Sequence, residues 1–295
     1  MSKKVIITGA NGGFGQLIVN QLLAEGHQVV GTMRAIEGRN AENAAKLREA
    51  GAQVVEMDVT STESVDQGVA KSIELLGGLD VVVNNAGLGV LGIQEQFTPE
   101  DFHRILDINV VGVHRVNRAA LPYLRKQGKG VIVYISSLLG RMTIPFYGPY
   151  NASKWALEAL AENNRVELSG FGIESVLIEP GGFPTNFMHS LVTPSDDSRN
   201  AEFGDFQHAP KATFEGFEQA MAGNPEQDPK NVALAVSSVL AQPHGNRSFR
   251  TVVDKMGMGT HIEGYNDHLA KVTEGIYTAF GTDGMLKVAG AEAEA

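Results

Sequence analysis

Tyr150 and Lys154 stand four residues apart in the segment YNASK, a spacing that brings both side chains to one face of a helix. A phenol near its ordinary pKa of about 10 is a poor base at neutral pH. A neighbouring ammonium favours the phenolate and makes the hydroxyl useful for moving a proton. Ser137, at the exit of the apolar run GVIVYISS, is placed to hydrogen-bond an oxygen presented to that phenol. Together they describe a proton donor, an orienting hydroxyl and a positive charge acting on a carbonyl or alcohol oxygen without a metal. Taken alone, the pair is equally well explained by packing or solvation on a helix surface. Tyr147 is a competitor, seven residues from Lys154, but Pro149 between them is expected to precede the helix, so Tyr147 reads as a pocket wall. Ser136 reads as strand or loop.

A second group suits a phosphate-bearing ligand. TGANGGFG follows the first apolar run directly and precedes a helical pattern, with Asn11 and Phe14 among its glycines. Gly9, Gly13 and Gly15 would permit a tight turn, close approach to a pyrophosphate and close helix–sheet packing. The helix behind them offers free N–H groups and a favourable dipole. At the end of the second apolar run, HQVVGTMR presents Arg34 where a carboxylate would otherwise accept the adenosine ribose hydroxyls. A guanidinium there, with Arg39 nearby, pairs with a 2′-phosphate instead and favours NADP(H) over NAD(H). The alternative is a solvated surface arginine. Asp58 and Val59 close the third run and suit an adenine contact or, for Asp58, a capping turn. Asn85, Ala86 and Gly87 follow the fourth run, where an Asx turn is the simpler account and passage beside a ribose the functional one.

These residues need elements to hold them. Apolar runs near residues 5–7, 29–30 and 53–57, and in LDVVVNNAG, GVIVYISS and IESVLIEPGG, alternate with helical patterns. That alternation predicts a three-layer α/β fold, a central mostly parallel sheet with helices on both faces. Thr98, Pro99 and Asp101 predict a helix start, and Thr60 with Glu63 a capping box for an earlier one. The alternation fails after Pro184. Residues 186–228 read as a substrate lid or a surface excursion, with a helical portion near 211–222. Helix 229–240 and the strand SFRTVV complete one domain over residues 1–255, and residues 256–295 form a C-terminal extension with a frayed end.

Composition narrows the function. The chain has 295 residues and no cysteine, so disulfides, thiolate catalysis and Cys-ligated zinc are excluded. Its eight histidines form no ligand cluster, and no metal is expected. A formal charge of −10 without a basic run speaks against nucleic acid. No apolar stretch is long enough for a membrane span and no secretory segment is recognisable, so a cytoplasmic protein is expected.

The ordered set TGANGGFG, NNAG and YNASK resembles the short-chain dehydrogenase/reductase family in its classical branch, strongly over residues 4–188 and weakly over 229–253. The resemblance implies a Rossmann fold and hydride transfer between a nicotinamide cofactor and a small carbonyl or alcohol. It makes Tyr150 the general acid in reduction and base in oxidation. Lys154 would hold the nicotinamide ribose and support Tyr150, Ser137 would orient the substrate oxygen, and Asn109 would hold a water-mediated proton relay. Pro180, Gly181 and Thr185 match the positions that cradle the nicotinamide, Arg34 matches the NADP discriminator, and a homodimer or homotetramer through helices near 99–127 and 150–168 is implied.

The expected substrate pocket is apolar, with Leu138, Met142, Tyr147, Phe183, Phe187 and Met188 at its centre, suited to an apolar ketone, aldehyde or alcohol. Two other outcomes remain open at this point: an NADP-binding sensor or scaffold without turnover, and an epimerase or dehydratase on the same cofactor fold.

Overall fold

Short runs rich in Val and Ile, apolar on both faces, are the sequence form of strands buried in a parallel sheet. The computed structural model describes residues 2–291 and places such runs at β1 (Lys4–Thr8), β2 (Gln28–Met33), β3 (Gln53–Glu56), β4 (Val81–Asn84), β5 (Gly130–Ile135), β6 (Ile173–Pro180) and β7 (Arg250–Val253). They form one sheet in the order β3-β2-β1-β4-β5-β6-β7, with every pairing parallel. The expected three-layer Rossmann architecture is present. The frayed end expected for the chain falls partly on residues 292–295, outside the described residues.

Helices α1 (Gly13–Ala24), α2 (Ala41–Glu49) and α8 (Lys230–Ala241) cover one face. Ile18, Leu22, Leu47, Val232 and Val236 are buried there against β1, β2, β5 and β6. Helices α3 (Thr62–Leu76), α5 (Gly112–Gln127) and α6 (Gly148–Glu167) cover the other through Val65, Val69, Val116, Leu124 and Leu157. Fully burying one such aliphatic side chain contributes about 1.5–3 kcal/mol, so the two layers together fix the sheet.

Local signals were mostly read correctly, with two shifts. The cap of α3 is Ser61, whose side chain accepts from the Ser64 amide, and not Thr60. Thr60 is held instead by Asp58, which accepts from both its amide (3.0 Å) and its hydroxyl (2.8 Å). Helix α6 begins before Pro149, because a proline in the first turn lacks only an N–H that would have no partner there. Tyr147 therefore occupies the N-cap position of this helix, without a side-chain capping hydrogen bond.

Helix α4 (Pro99–Leu106) starts where expected, and with a capping box, Thr98 and Asp101 satisfying each other's amides. It continues through a π-turn over Asp107–Val111, in which the Gly112 amide reaches back five residues to the Asp107 carbonyl, and so into α5. Residues 188–208 contain short 3-10 turns, followed by α7 (Ala209–Ala222), and α9 (Gly259–Ala279) follows β7.

The segment after residue 190 is stitched to the start of α4. Val192 pairs with Val90, its amide donating to Gly89 O and its carbonyl accepting from Leu91 N. Asp101 accepts from the Ser195 amide (3.0 Å) and hydroxyl (2.5 Å) besides capping α4. Burial alone would raise the Asp101 carboxyl, but these hydrogen bonds outweigh it and hold it below the ordinary carboxylate value. A carboxyl lowered by folding stabilises above its unfolded pKa of about 3.9, and that stability disappears as pH falls through the folded value. Asp101→Asn is therefore expected to cost about 1–2 kcal/mol at pH 7 and to flatten the acid limb of the stability curve below about pH 4. Urea melts from pH 7 to pH 3 check this; a variant curve parallel to the parent's contradicts it.

Candidate active site

Every strand pairing is parallel, so the carboxyl ends of the strands lie along one rim. Between β1 and β4 the order of connection reverses, and that is where an open α/β sheet forms its crevice. The cleft at this rim is walled by Gly9, Asn11, Gly13 and Phe14 after β1, Arg34 and Arg39 after β2, and Asp58 and Val59 after β3. Asn85, Ala86 and Gly87 after β4, Tyr150 and Lys154 on α6, and Thr185 after β6 complete it.

The glycine turn is fitted to its neighbour. Gly9 and Gly13 adopt φ of 65° and 51°, a region that disfavours side chains. A methyl group on Gly9 would lie 2.8 Å from Ala86 Cα, and one on Gly15 would lie 2.3 Å from Gly9 O and 2.6 Å from Asn85 Nδ2. Asn85 Nδ2 donates to Thr8 O and Gly9 O, while Thr8 Oγ1 accepts from the amides of Asn85 and Ala86. Gly15 thus acts through packing and does not line the cleft. Gly12 caps α1 without a side-chain hydrogen bond, and the first turn carries no acid, so its amides are available to an anion. These features fit the pyrophosphate of a dinucleotide.

At the end of the cleft beyond β2 and β3, Arg34 is half exposed, with its guanidinium 3.7 Å from Asp58. Burial opposes ionisation of Asp58, but hydrogen bonds from Thr60 and the charge of Arg34 prevail and lower its pKa. Asn40 donates to Arg34 O (2.6 Å) and, with Asn43 and Gly12, also faces the cleft. The asparagines escaped the sequence reading because the course of residues 35–40 depends on these contacts, including Ala35 at φ 51°.

At the other end, Tyr150 and Lys154 lie in the first two turns of α6 and are nearly buried. Lys154 Nζ donates to Ile135 O (2.8 Å) at the end of β5 and lies 5.5 Å from the centre of the Tyr150 ring. Burial pushes Tyr150 up to about 12, although a hydrogen bond with Ser137 opposes this, and Tyr147 adds to it. Desolvation outweighs that hydrogen bond, so the phenol is held above its ordinary value, contrary to the expected shift toward phenolate. Burial likewise lowers Lys154 to about 8, against the attraction of Glu158. Ser137 stands in extended backbone, its hydroxyl accepting from Leu139 N (3.1 Å).

Asn109 lies inside the π-turn and is buried. Its side chain accepts from Leu88 N (2.8 Å) and donates to Leu88 O (2.8 Å) and Ser153 Oγ (2.9 Å). It binds the chain after β4 to the helix bearing Lys154, and it does not open onto the cleft.

The expected pocket residues divide. Phe187 faces the cleft, 6.0 Å from the Tyr150 ring between centroids. Tyr147 sits in an apolar cluster with Val90, Phe97, Ile105 and Tyr150. Leu138 is fully buried, while Met142 and Met188 are half buried away from the cleft lining. Phe183 belongs to the opposite core layer, edge-on to Phe14 at 5.6 Å, so it is no pocket wall. Pro180 and Gly181 also stay behind the cleft surface; a methyl on Gly181 would meet Asp254 Oδ1 at 2.4 Å. Leu88, Ile108, Asn186 and Ser190 line the cleft without having been anticipated. Among the described residues no three His, Cys, Asp or Glu gather as a metal site, and no helix is long and apolar enough to cross a membrane.

Comparison with known proteins agrees with this geometry. The family model for short chain dehydrogenases matches residues 3–196. The chain is 37% identical over 201 residues to a 3-ketodihydrosphingosine reductase of Bacteroides thetaiotaomicron, covering 68% of this chain and 71% of that protein. It is 40% identical over 186 residues to retinol dehydrogenase 7 of Mus musculus, covering 62% of this chain and 58% of that one. A short-chain dehydrogenase from Streptomyces avermitilis superposes with a TM-score of 0.74 at 29% identity, over 96% of this chain and 100% of that one. A short-chain dehydrogenase/reductase of Burkholderia phymatum in complex with NAD gives 0.71 at 26% identity, over 85% and 89% of the two chains. An actinorhodin polyketide ketoreductase with NADPH gives 0.72 at 27%, over 88% and 99%. The protein is a member of the short-chain dehydrogenase/reductase family of nicotinamide-dependent oxidoreductases.

Proposed function

We propose that this chain is an NADP(H)-preferring reductase or dehydrogenase that interconverts an apolar ketone or aldehyde and its alcohol. The observation that carries the reading is the meeting of the Ser137–Tyr150 hydrogen bond and Lys154 at one end of the cleft that the glycine turn lines. The bound nicotinamide supplies or accepts the hydride. The chain's own residues handle the oxygen and its proton. Ser137 orients the carbonyl oxygen, and Tyr150, protonated at neutral pH, delivers its proton as negative charge develops there. Lys154 holds the ribose and offsets the phenolate left behind. Asn109 keeps the Leu88 backbone and α6 in register, which suits a relay returning the proton from outside. In this reading Pro180 and Gly181 set the course of the chain toward Thr185 at the nicotinamide.

The apolar surroundings of Tyr150, including Leu88, Leu91, Ile144, Phe187, Leu191 and Val192, support an apolar substrate. Residues 186–228 serve as its lid over a catalytic unit of residues 1–255, with 256–295 as an extension. A cytoplasmic homodimer or homotetramer completes the reading. Val111, Tyr123 and Trp155 stand exposed on the helices expected to pair, and a sedimentation mass of two or four chains is expected; a monomer at micromolar concentration rejects that part.

Tyr150→Phe is expected to lower turnover by roughly 10²–10⁴-fold across a ketone panel while NADPH binding, read by its fluorescence, is kept. Reduction needs the protonated phenol and the Lys154 ammonium, so its rate is expected to fall as pH rises through about 8; a flat pH profile from 7 to 9 contradicts this. A parent protein that binds NADPH and turns over nothing points to a sensor or scaffold, and products without net redox change point to an epimerase or dehydratase. Arg34→Ala is expected to reduce the NADPH-over-NADH preference in kcat/KM by roughly tenfold to a hundredfold, the worth of one charge-assisted hydrogen bond. A parent that prefers NADH removes the basis of this assignment.

A further inference from the structure

Behind Lys154, away from the cleft, a set of charged side chains is buried between α6 and the sheet. Glu158 is one helical turn beyond Lys154, so their Cβ atoms are roughly 5–6 Å apart, and only 1% of the Glu158 surface is exposed. Arg141 donates to Glu158 at 2.7 Å and to Glu162 at 2.6 Å. Arg250 on β7 approaches Glu158 at 3.4 Å, pairs with Glu162, and places its Nε 3.2 Å from Glu179. Glu179, fully buried near the end of β6, also lies 3.6 Å from Arg141 and accepts from Asn266 of α9 at 2.5 Å. Arg165 lies at the outer edge, over the Phe249 ring and near Glu162 and Arg250.

This arrangement is a poor device for stability. Arg141 Nε, Arg250 Nε, Glu158 Oε1 and Glu179 Oε1 are buried without a hydrogen-bond partner. Removing such ions from water costs several kcal/mol each, and apolar side chains of equal volume serve stability as well or better. The position of the cluster explains it better. Arg141 ends the turn Leu138–Gly140 that follows Ser137, and a methyl on Gly140 would lie 2.8 Å from Glu158 Cγ. Glu179 directly precedes Pro180 and Gly181. The Ser137 turn, the Lys154 helix and the chain leading to Thr185 therefore meet on Glu158 and its partners.

Lys154 itself sits where a charge is disfavoured. It is nearly buried, it lies near the positive end of a helix, and Ile135 O is its hydrogen-bond acceptor. Facing it are Tyr150 and Glu158 from its own helix, with Arg141, Glu179 and Arg250 behind Glu158. The structure assigns Glu158 as a positioning residue for Lys154: a carboxylate fixed by Arg141 and Arg250 that keeps the ammonium charged and α6 in register with the Ser137 turn. The assignment deepens the proposed role of Lys154 and rests on it.

Removing the carboxylate charge while keeping its shape disfavours the ammonium, so the Lys154 pKa falls. Glu158→Gln is expected to lower it by about one to two pH units, the size of one ion pair at this separation in a protein-like dielectric. The titration is read from the 13Cε signal of Lys154 in lysine-labelled full-length protein, assigned with Lys154→Arg. The alkaline limb of kcat/KM for carbonyl reduction is expected to move to lower pH by the same amount, with thermal melts confirming the fold. Glu158→Asp, which keeps the charge one methylene further back, is expected to shift less and serves as the test if the glutamine variant does not fold. A Lys154 titration unchanged in Glu158→Gln, or shifted as far in Glu158→Asp, overturns the assignment. Because the NMR titration needs no turnover, an inactive parent rejects the proposed reaction without deciding the role of Glu158.

Discussion

Everything at the cleft depends on how closely two loops approach across the place where β1 pairs with both β2 and β4. The chain winds outward from β1 to β3 and then returns to build β4 through β7 on the other side. The loops leaving β1 and β4 must then pass each other at the same rim. They do so in contact: the Thr8 hydroxyl takes two amides from the Asn85–Ala86 turn, and the Asn85 side chain returns two hydrogen bonds to Thr8 and Gly9. Gly9 and Gly15 leave no room for a Cβ because this interlock occupies the space. The glycines are thus required first by the meeting of two loops. The exposed amides at the start of α1 are a consequence of that meeting.

The second half of the sheet holds its groups by a different means. β5 ends in a carbonyl that receives Lys154, and the next residues turn sharply enough to bring Ser137 to Tyr150. Burial then decides the resting charges, with the phenol protonated and the lysine less basic than usual. A protonated phenol is matched to giving up a proton to an oxygen that gains negative charge. Starting an oxidation requires that proton to be removed first.

Much of this was legible in the chain. Period and run length showed the strands, Thr98, Pro99 and Asp101 showed a helix start, and YNASK with TGANGGFG showed two walls of the cleft. The misreadings share a physical cause. Thr60 and Ser61 are adjacent hydroxyls of similar capping ability, and the choice was made by Asp58, which binds Thr60 first. Phe183 was counted with the apolar pocket residues, yet Phe14 offers it a partner in the core. The charged cluster was invisible because residues 141, 158, 162, 179 and 250 are far apart in sequence, and each reads locally as a solvated charge. Pairwise contacts between distant elements leave no periodic trace.

The same lesson applies to the segment over the site. Gly89 and Gly92 carry no recognisable motif, but a methyl on Gly89 would lie 2.5 Å from Leu191 and 2.6 Å from Phe187, and one on Gly92 would lie 2.4 Å from Pro194. The chain after β4 is therefore made smooth where residues 187–194 lie against it, and Asp101 fastens the far side through Ser195. Phe187 comes to the ring of Tyr150 by this docking and not by a contact of its own helix or strand. If the segment serves as a lid, its seat is built from the loop whose other end flanks Asn85 and Gly87. Closure over the substrate and the shape of the cofactor cleft then share one stretch of backbone, residues 85–92, and a change in either is felt by the other.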